Sequence, residues 1–381
     1  EMPQGVEAAI RQAVAKDPAD RYRSAGALIA AARGGEDSEV RPTAVLSHDR
    51  SERTTAPNRS QRFFGRIGGR AGAWLVSGMA IILAAVVAAA LFLLLGGDGP
   101  EVSAPIAVGQ PPLRIAAGSE AVWVTSERDG TLTRLDPDSG RKIGRTIHLA
   151  PGIAGVAVGG KWTWVTNPRR GELLRIDPRS GRLLKTIDVG GRPGPIALGG
   201  GRVWLADESG RGVTAVNSEG GRVYRRGLPP QTTRLRLAFG AHGLWVSIAG
   251  TGSVRRVDPA DFTAGEPIRV GRGPAGLTIA DAFVWVANSR SGTVSRVDPA
   301  TRQLLGDPIV VGGHPGGIDA GTSAVWVANA ADDTVTRIDT ETGEPQGEAI
   351  EVGPEPGAVA VGGDAVWVAN NGDGTVTRIE P

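Results

Sequence analysis

No cysteine occurs in the 381-residue chain, which excludes disulfides, thiolate nucleophiles and Cys-ligated zinc and leaves any exported domain to hold itself together by packing. Charge of one sign is lacking too. Lys and Arg number 42 against 40 Asp and Glu, and the formal +2 is too weak a field to imply nucleic acid as a partner. Histidine is scarce: of four, only His148, His242 and His314 lie in the C-terminal two-thirds. His148 falls at the end of an expected outer strand and His242 in a turn, so only His314 occupies a loop on the face where ligands are expected. No spacing of His, Asp and Glu has the pattern of a metal site, and no metal, cofactor or catalytic residue is expected.

What is present changes character along the chain. Residues 1–33 read as two short helices, 34–72 as a polar, disordered cytoplasmic linker, 73–95 as one apolar run, 96–102 as a short linker, and 103–381 as short strands punctuated by Gly and Pro. The run from Trp74 to Leu95 carries no charge, and at ~1.5 Å per residue it is long enough to cross a ~30 Å hydrocarbon core. Residues 1–73 precede it, which argues against a cleaved signal peptide. Arg62, Arg66 and Arg70 stand before the run, Asp98 and Glu101 after it, so the positive-inside rule places the N-terminus in the cytoplasm and residues 96–381 outside. The expected location is the cell membrane, as a single-pass protein.

In the first segment Val6, Ala9, Ile10, Ala13 and Val14 fall at helical spacing, Asp17-Pro18 interrupts them, and Ser24 is placed to cap a second helix. Thirty residues bury too little to fold alone, so the pair reads as the tail of a larger domain. Ala15-Lys16-Asp17-Pro18-Ala19-Asp20-Arg21-Tyr22 with Ser24-Ala25 resembles the last helices of bacterial Ser/Thr protein kinase domains. The resemblance implies a structural role for Arg21, in an ion pair with a Glu near the activation segment. The Gly-rich loop, strand Lys, catalytic-loop Asp and Asp-Phe-Gly that phosphoryl transfer needs are not in this chain, so it has no kinase activity of its own.

The strongest signal is a period. Trp123, Trp164, Trp204, Trp245, Trp285, Trp326 and Trp367 recur at steps of 40 or 41 residues, each within a strand of Ala-Val-Trp-Val-Ala-Asn type followed by Gly-Thr-Val-x-Arg-Ile-Asp-Pro. Four short strands per unit describe a propeller blade, and seven units an all-β, seven-bladed β-propeller. Each Trp is flanked by Val or Leu, as expected where blades stack face to face, and is assigned to packing rather than to ligand stacking. Asp136-Pro137-Asp138-Ser139-Gly140 and Asp177-Pro178-Arg179-Ser180-Gly181 carry hairpin-turn chemistry. Pro105-Ile106-Ala107-Val108-Gly109 matches the outer-strand endings of later units, while the last unit stops at Pro381 without one. The N-terminal strand is therefore expected to complete the final blade and remove the open edges.

Trp164-Val165-Thr166-Asn167 and the three Trp-Val-Ala-Asn copies resemble the YVTN (YncE-like) propeller family, whose fold the seven-bladed virginiamycin B lyases share. Together with the kinase tail and the membrane run, the resemblance implies the sensor domain of a receptor-type bacterial Ser/Thr kinase. Alternatives are a virginiamycin B lyase-like enzyme centred on His314 and an adhesive or protein-interaction propeller.

Loops from outer to inner strands and from second to third strands are expected to share one face. The Asn that recurs three residues after Trp, at 167, 288, 329 and 370, is read as a turn-former rather than a ligand contact. The irregular charges of that face are the ligand candidates: Arg128, Asp129, Arg169, Arg170, Arg192, Asp207, His314, Asp332 and Asp373. Arginines concentrate in early units and acids in late ones, which predicts a polarised rim. The expected partners are the membrane and an unknown extracytoplasmic ligand or protein, with ligand-driven self-association as the route of signalling through one helix.

Overall fold

The computed structural model of the protein describes residues 99–381 except 220, 228–234 and 241. The helix pair with Arg21, the linker at 34–72 and the apolar run at 73–95 lie outside the described residues. Among the described residues no helix is long and apolar enough to cross a membrane.

The described chain is all β and forms seven antiparallel sheets. The Trp-bearing segments become strands because β-branched residues alternate with a large aromatic on a surface buried from both sides. Blade 1 consists of Pro112–Ala117, Val122–Ser126, Thr131–Leu135 and Ile147–His148. The first strands of blades 2 to 7 are Val156–Gly159, Pro193–Gly199, Leu235–Gly240, Pro274–Ala280, Pro315–Ala320 and Pro356–Gly362. Each first strand touches the first strand of the next blade, and that of blade 7 touches that of blade 1, so seven inner strands ring a central channel.

Closure comes from the N-terminal side. Ile106 and Ala107 pair with Val376 and Thr375, and Glu101 and Val102 pair with Glu380 and Ile379. The outer edge of blade 7 is thus built from residues far away in sequence, and pairing already begins at Glu101, inside the segment read as linker.

The tryptophans lie between blades. Seven hydrophobic cores each hold one of them, and each core joins two neighbouring blades: Trp123 packs with Ile153, Val156 and Val165 of blade 2, and Trp367 with Ile115, Val122 and Leu135 of blade 1. All seven are at most 2% exposed. Each buries about 150–250 Å², so the gross hydrophobic contribution is about 4–6 kcal/mol per Trp at ~25 cal/mol/Å².

Across the sheet from six of the seven sits an arginine: Arg134, Arg175, Arg256, Arg296, Arg337 and Arg378. The guanidinium lies over the indole at 5.7 Å in the Arg134–Trp123 pair and 5.3 Å in the Arg296–Trp285 pair. Arg134, Arg175, Arg296 and Arg378 then reach into the next blade, where they donate to main-chain carbonyls of the turn between third and outer strands, whereas Arg256 Nε donates to His242 O of its own blade. Arg134 Nη1 bonds Arg179 O at 2.7 Å, Arg175 Nη1 bonds Glu219 O at 3.3 Å, and Arg378 Nε bonds Pro137 O at 3.3 Å, across the closing joint. Blade 3 differs: Ala215 faces Trp204, and Arg202 stacks on that indole instead and donates to Pro259 O of blade 4.

Candidate functional site

The two loop sets predicted to share a face do so, tied by backbone bonds such as Glu208 N to Arg192 O at 2.8 Å and Asn371 N to Glu355 O at 3.0 Å. The channel opens between them. Below the mouth lies a cavity of ≈ 270 Å³ lined by inner strands of all seven blades, and above it, over blades 1 to 4, a second cavity of ≈ 450 Å³.

Register explains what lines them. The residue just before the inner-strand Ile, Leu or Val that pairs with the second strand is Gly155, Pro195, Gly276, Gly317 or Ala358 in blades 2, 3, 5, 6 and 7. Space is short there: a Cβ on Gly276 would lie 2.8 Å from Ile318 Cγ2. In blades 1 and 4 the same position holds Arg114 and Arg236. Both are half-buried, and both line the two cavities. Arg192, Glu127, Glu208 and Ser209 complete the polar wall of the mouth. Arg192 Nη2 meets Glu208 Oε2 at 3.2 Å with the arginine side chain 62% exposed, an ion pair of little energetic weight that water screens.

Of the residues singled out in the sequence, Arg192 alone lines the mouth. Asp207 stands beside it as a brace: its carboxylate accepts from Arg192 N at 3.1 Å and Ser209 N at 2.8 Å. Partial burial pushes the Asp207 pKa up, but the bonds from Ser209 and Arg192 and the charge of Arg211 outweigh it and hold the carboxyl below its ordinary value. Asp129 Oδ2 accepts from Gln110 N at 3.3 Å, and Asp332 Oδ2 from Gly313 N at 2.6 Å. Asp373 Oδ1 accepts from Thr375 N at 3.1 Å. These acids spend their oxygens on loop backbone.

Arg128, Arg169 and Arg170 are exposed and line neither cavity; the Arg169 stem lies against Gly152. His314 is exposed with φ 52, at a position where Gly152 and Gly273 hold φ 89 and 67 in other blades. It too lines neither cavity. The recurring asparagines are wholly buried: Asn288, Asn329 and Asn370 each donate from Nδ2 to two hydroxyls on the third strand, for Asn329 those of Thr334 at 3.1 Å and Thr336 at 2.9 Å. That is why Val-Gly ends the strand above them, since a Cβ on Gly271 or Gly312 would sit 2.6 Å from an asparagine Cγ.

Arg114 and Arg236 escaped the sequence reading. Their signal is a broken column: a long cation where five repeats carry a residue no larger than proline.

Residues 128–381 match the family model described as outer membrane protein assembly factor BamB (PQQ_2). The chain belongs to the BamB-type propeller family. No curated protein sequence matches it. Among solved structures it is similar to a streptogramin B lyase at 17% identity and TM-score 0.64, covering 74% of this chain and 97% of that one. It is similar to virginiamycin B lyase from Staphylococcus aureus at 15% identity and TM-score 0.64, covering 74% and 100%. Hydrazine synthase from Kuenenia stuttgartiensis aligns at 15% identity and TM-score 0.62, over 72% and 97%. At such identities the BamB-type chain shares a fold with these proteins, and chemistry has to be argued from its own residues.

Proposed function

We propose that this BamB-type propeller is the extracytoplasmic ligand-binding domain of a membrane-anchored receptor, and that it takes a small anionic ligand at the channel mouth over blades 1 to 4. The observation that carries this reading is the pair Arg114 and Arg236, set into a column of small residues beside a cavity of ≈ 450 Å³. That volume lies in the range of about 300–1,000 Å³ in which small-molecule sites fall. Arginine is suited to it, because a planar guanidinium binds carboxylate or phosphate through two parallel bonds and loses less hydration than an ammonium. Glu127 and Glu208 on the same wall supply acceptors for ligand hydroxyls or ammonium groups and disfavour polyanions.

The apolar run at 73–95 and the kinase-like tail support a receptor context from sequence. The chain enters the propeller beside Glu380, on the face opposite the mouth, so a tether there leaves the mouth open. A lyase centred on His314 draws no support from geometry, since that residue stands on the rim outside both cavities.

A thermal-shift screen of the full chain with matched anionic and neutral metabolites and cell-envelope fragments tests this reading. Binding to the folded state alone raises the midpoint. Monoanionic and dianionic compounds should shift it and be recovered unchanged. Shifts confined to neutral compounds, or conversion of the compound, would overturn the reading.

A further inference from the structure

The cavity below the mouth holds one ionisable group that the anion site does not use. Asp319 lines it together with Arg114 and Arg236, and the rest of its wall is small or apolar, as at Gly155, Gly276 and Ala358. Register sets the acid one level deeper than the arginines. Asp319 pairs with Trp326, the place held in the other blades by Ala116, Ala157, Ala197, Ala238, Thr278 and Ala360. Arg114 and Arg236 correspond to Gly317, two residues nearer the mouth. At ~3.3 Å per residue the two levels lie about 7 Å apart along the strand, and residues two apart project from the same face of it.

The ring does not need a carboxyl at this level, since five blades close with alanine there. Nor does the fold gain from its charge: burial raises the Asp319 pKa against the bonds that favour the ionised form. Val361 N of blade 7 donates to Oδ2 at 2.9 Å, and Thr278 Oγ1 of blade 5 to Oδ1 at 3.4 Å. An ionised carboxylate offers about four acceptor positions, so capacity is left toward the cavity, where Asp319 keeps part of its surface exposed. A carboxylate so placed suits a cation.

We propose that the ligand held at the mouth extends down the channel and carries an ammonium group that ends on the Asp319 carboxylate, with its anionic head on Arg114 and Arg236. The inference rests on the reading of the mouth as an anion site and adds the ligand class: a small anion with a primary-amine tail, of which the aminoalkyl phosphates are a simple form. Charge agrees with it, because two guanidiniums and one carboxylate line the cavity, the complement of a dianionic head and a cationic tail. Depth agrees too. Glu127 and Glu208 stand at the mouth, where water screens their pull on an ammonium, whereas the same attraction is stronger inside a narrow channel of low dielectric.

Calorimetry on the full chain tests this with 2-aminoethyl, 3-aminopropyl and 4-aminobutyl phosphate, each against the amine-free alkyl phosphate of the same length. At neutral pH the 4-aminobutyl compound should bind about tenfold or more tighter than butyl phosphate, with a smaller gain for the 2-aminoethyl compound, whose tail is short of the deeper level. Asp319→Asn keeps the shape of the side chain and an acceptor for Val361 N. It should abolish the gain while butyl phosphate binds at least as well as to the parent, and Glu127→Gln should leave the gain in place. Alkyl phosphates that bind with no gain from the amine, or a gain that survives Asp319→Asn, would overturn the proposal and leave the anion site standing. A gain lost in Glu127→Gln and kept in Asp319→Asn would put the ammonium at the mouth and overturn it equally. If neither series binds the parent, the anion site falls and the proposal with it. Melting curves establish that each variant is folded, and the comparison of paired ligands on the parent needs no variant.

Discussion

Blades 5 to 7 and blades 1 to 4 are built on one period and use it differently. In the late blades the residue three after Trp is Asn288, Asn329 or Asn370, each buried and bonded to a pair of third-strand hydroxyls. In the early blades the same position holds Ser126, Asn167, Asp207 and Ile248, each with a different local arrangement. The inner-strand column shows the same contrast, with Gly276, Gly317 and Ala358 late and two arginines early. A repeat conserved within one chain is held by packing that every blade needs. Departures concentrate where a common need has given way to a particular one, and here they converge on the mouth.

The contrast can be broken most severely through the tryptophans, which both halves share. Trp285→Ala and Trp123→Ala should each cost about 3–5 kcal/mol, read by chemical denaturation, because each opens a core between two blades. A small loss at Trp123 alone would mean that the early half is held together by something else. Next in size is the asparagine network: Asn329→Ala strips Thr334 and Thr336 of a buried partner and should cost about 1–3 kcal/mol, whereas Ser126→Ala, at the equivalent early position, should cost less.

Asp319 offers a sharper probe of the late half, since it stands where five other blades carry alanine. Burial raises its pKa above the ordinary 3.8, against the opposing bonds from Val361 N, Ala320 N and Thr278. A raised acid stabilises the fold below the unfolded value and loses that contribution as pH climbs through the folded value. Asp319→Asn should therefore melt progressively higher than the parent between pH 4 and pH 7, and a constant difference across that range would refute the shift. Smallest of all, Arg114→Ala and Arg236→Ala, half-buried and outside the seven cores, should each change stability by about 1 kcal/mol, read by chemical denaturation.

The ring was legible because it depends on one-dimensional signals. Seven tryptophans at a fixed step define the blades, and the match of Pro105 to Gly109 with later strand ends foretold the pairing of Ile106 with Val376. The asparagines were legible as structural, but Asn288, Asn329 and Asn370 bond third-strand hydroxyls instead of the turn backbone expected of them. The mouth was not legible in the same way. Asp129, Asp332 and Asp373 look like free charges in a sequence, but whether a carboxylate faces a ligand or its own loop amide depends on loop conformation. Arg114 and Arg236 sit inside strands, where charge is usually read as one solvent-facing side of a sheet. Only the register of seven inner strands around one axis brings two residues 122 positions apart to the same opening. The arginine grips were visible as a recurrent Thr-Val-x-Arg, but their direction, into the next blade, is a property of the closed ring.

The most direct test of the central claim is the affinity of one anionic ligand from the screen, measured by calorimetry on the full chain, the Arg114→Ala/Arg236→Ala double variant and a late-rim control, Asp332→Ala/Asp373→Ala. Loss of paired, partly desolvated guanidinium contacts predicts a fall of about tenfold or more in the first variant and little change in the second. Equal affinity in parent and arginine double variant would contradict the assignment of the mouth as the binding site.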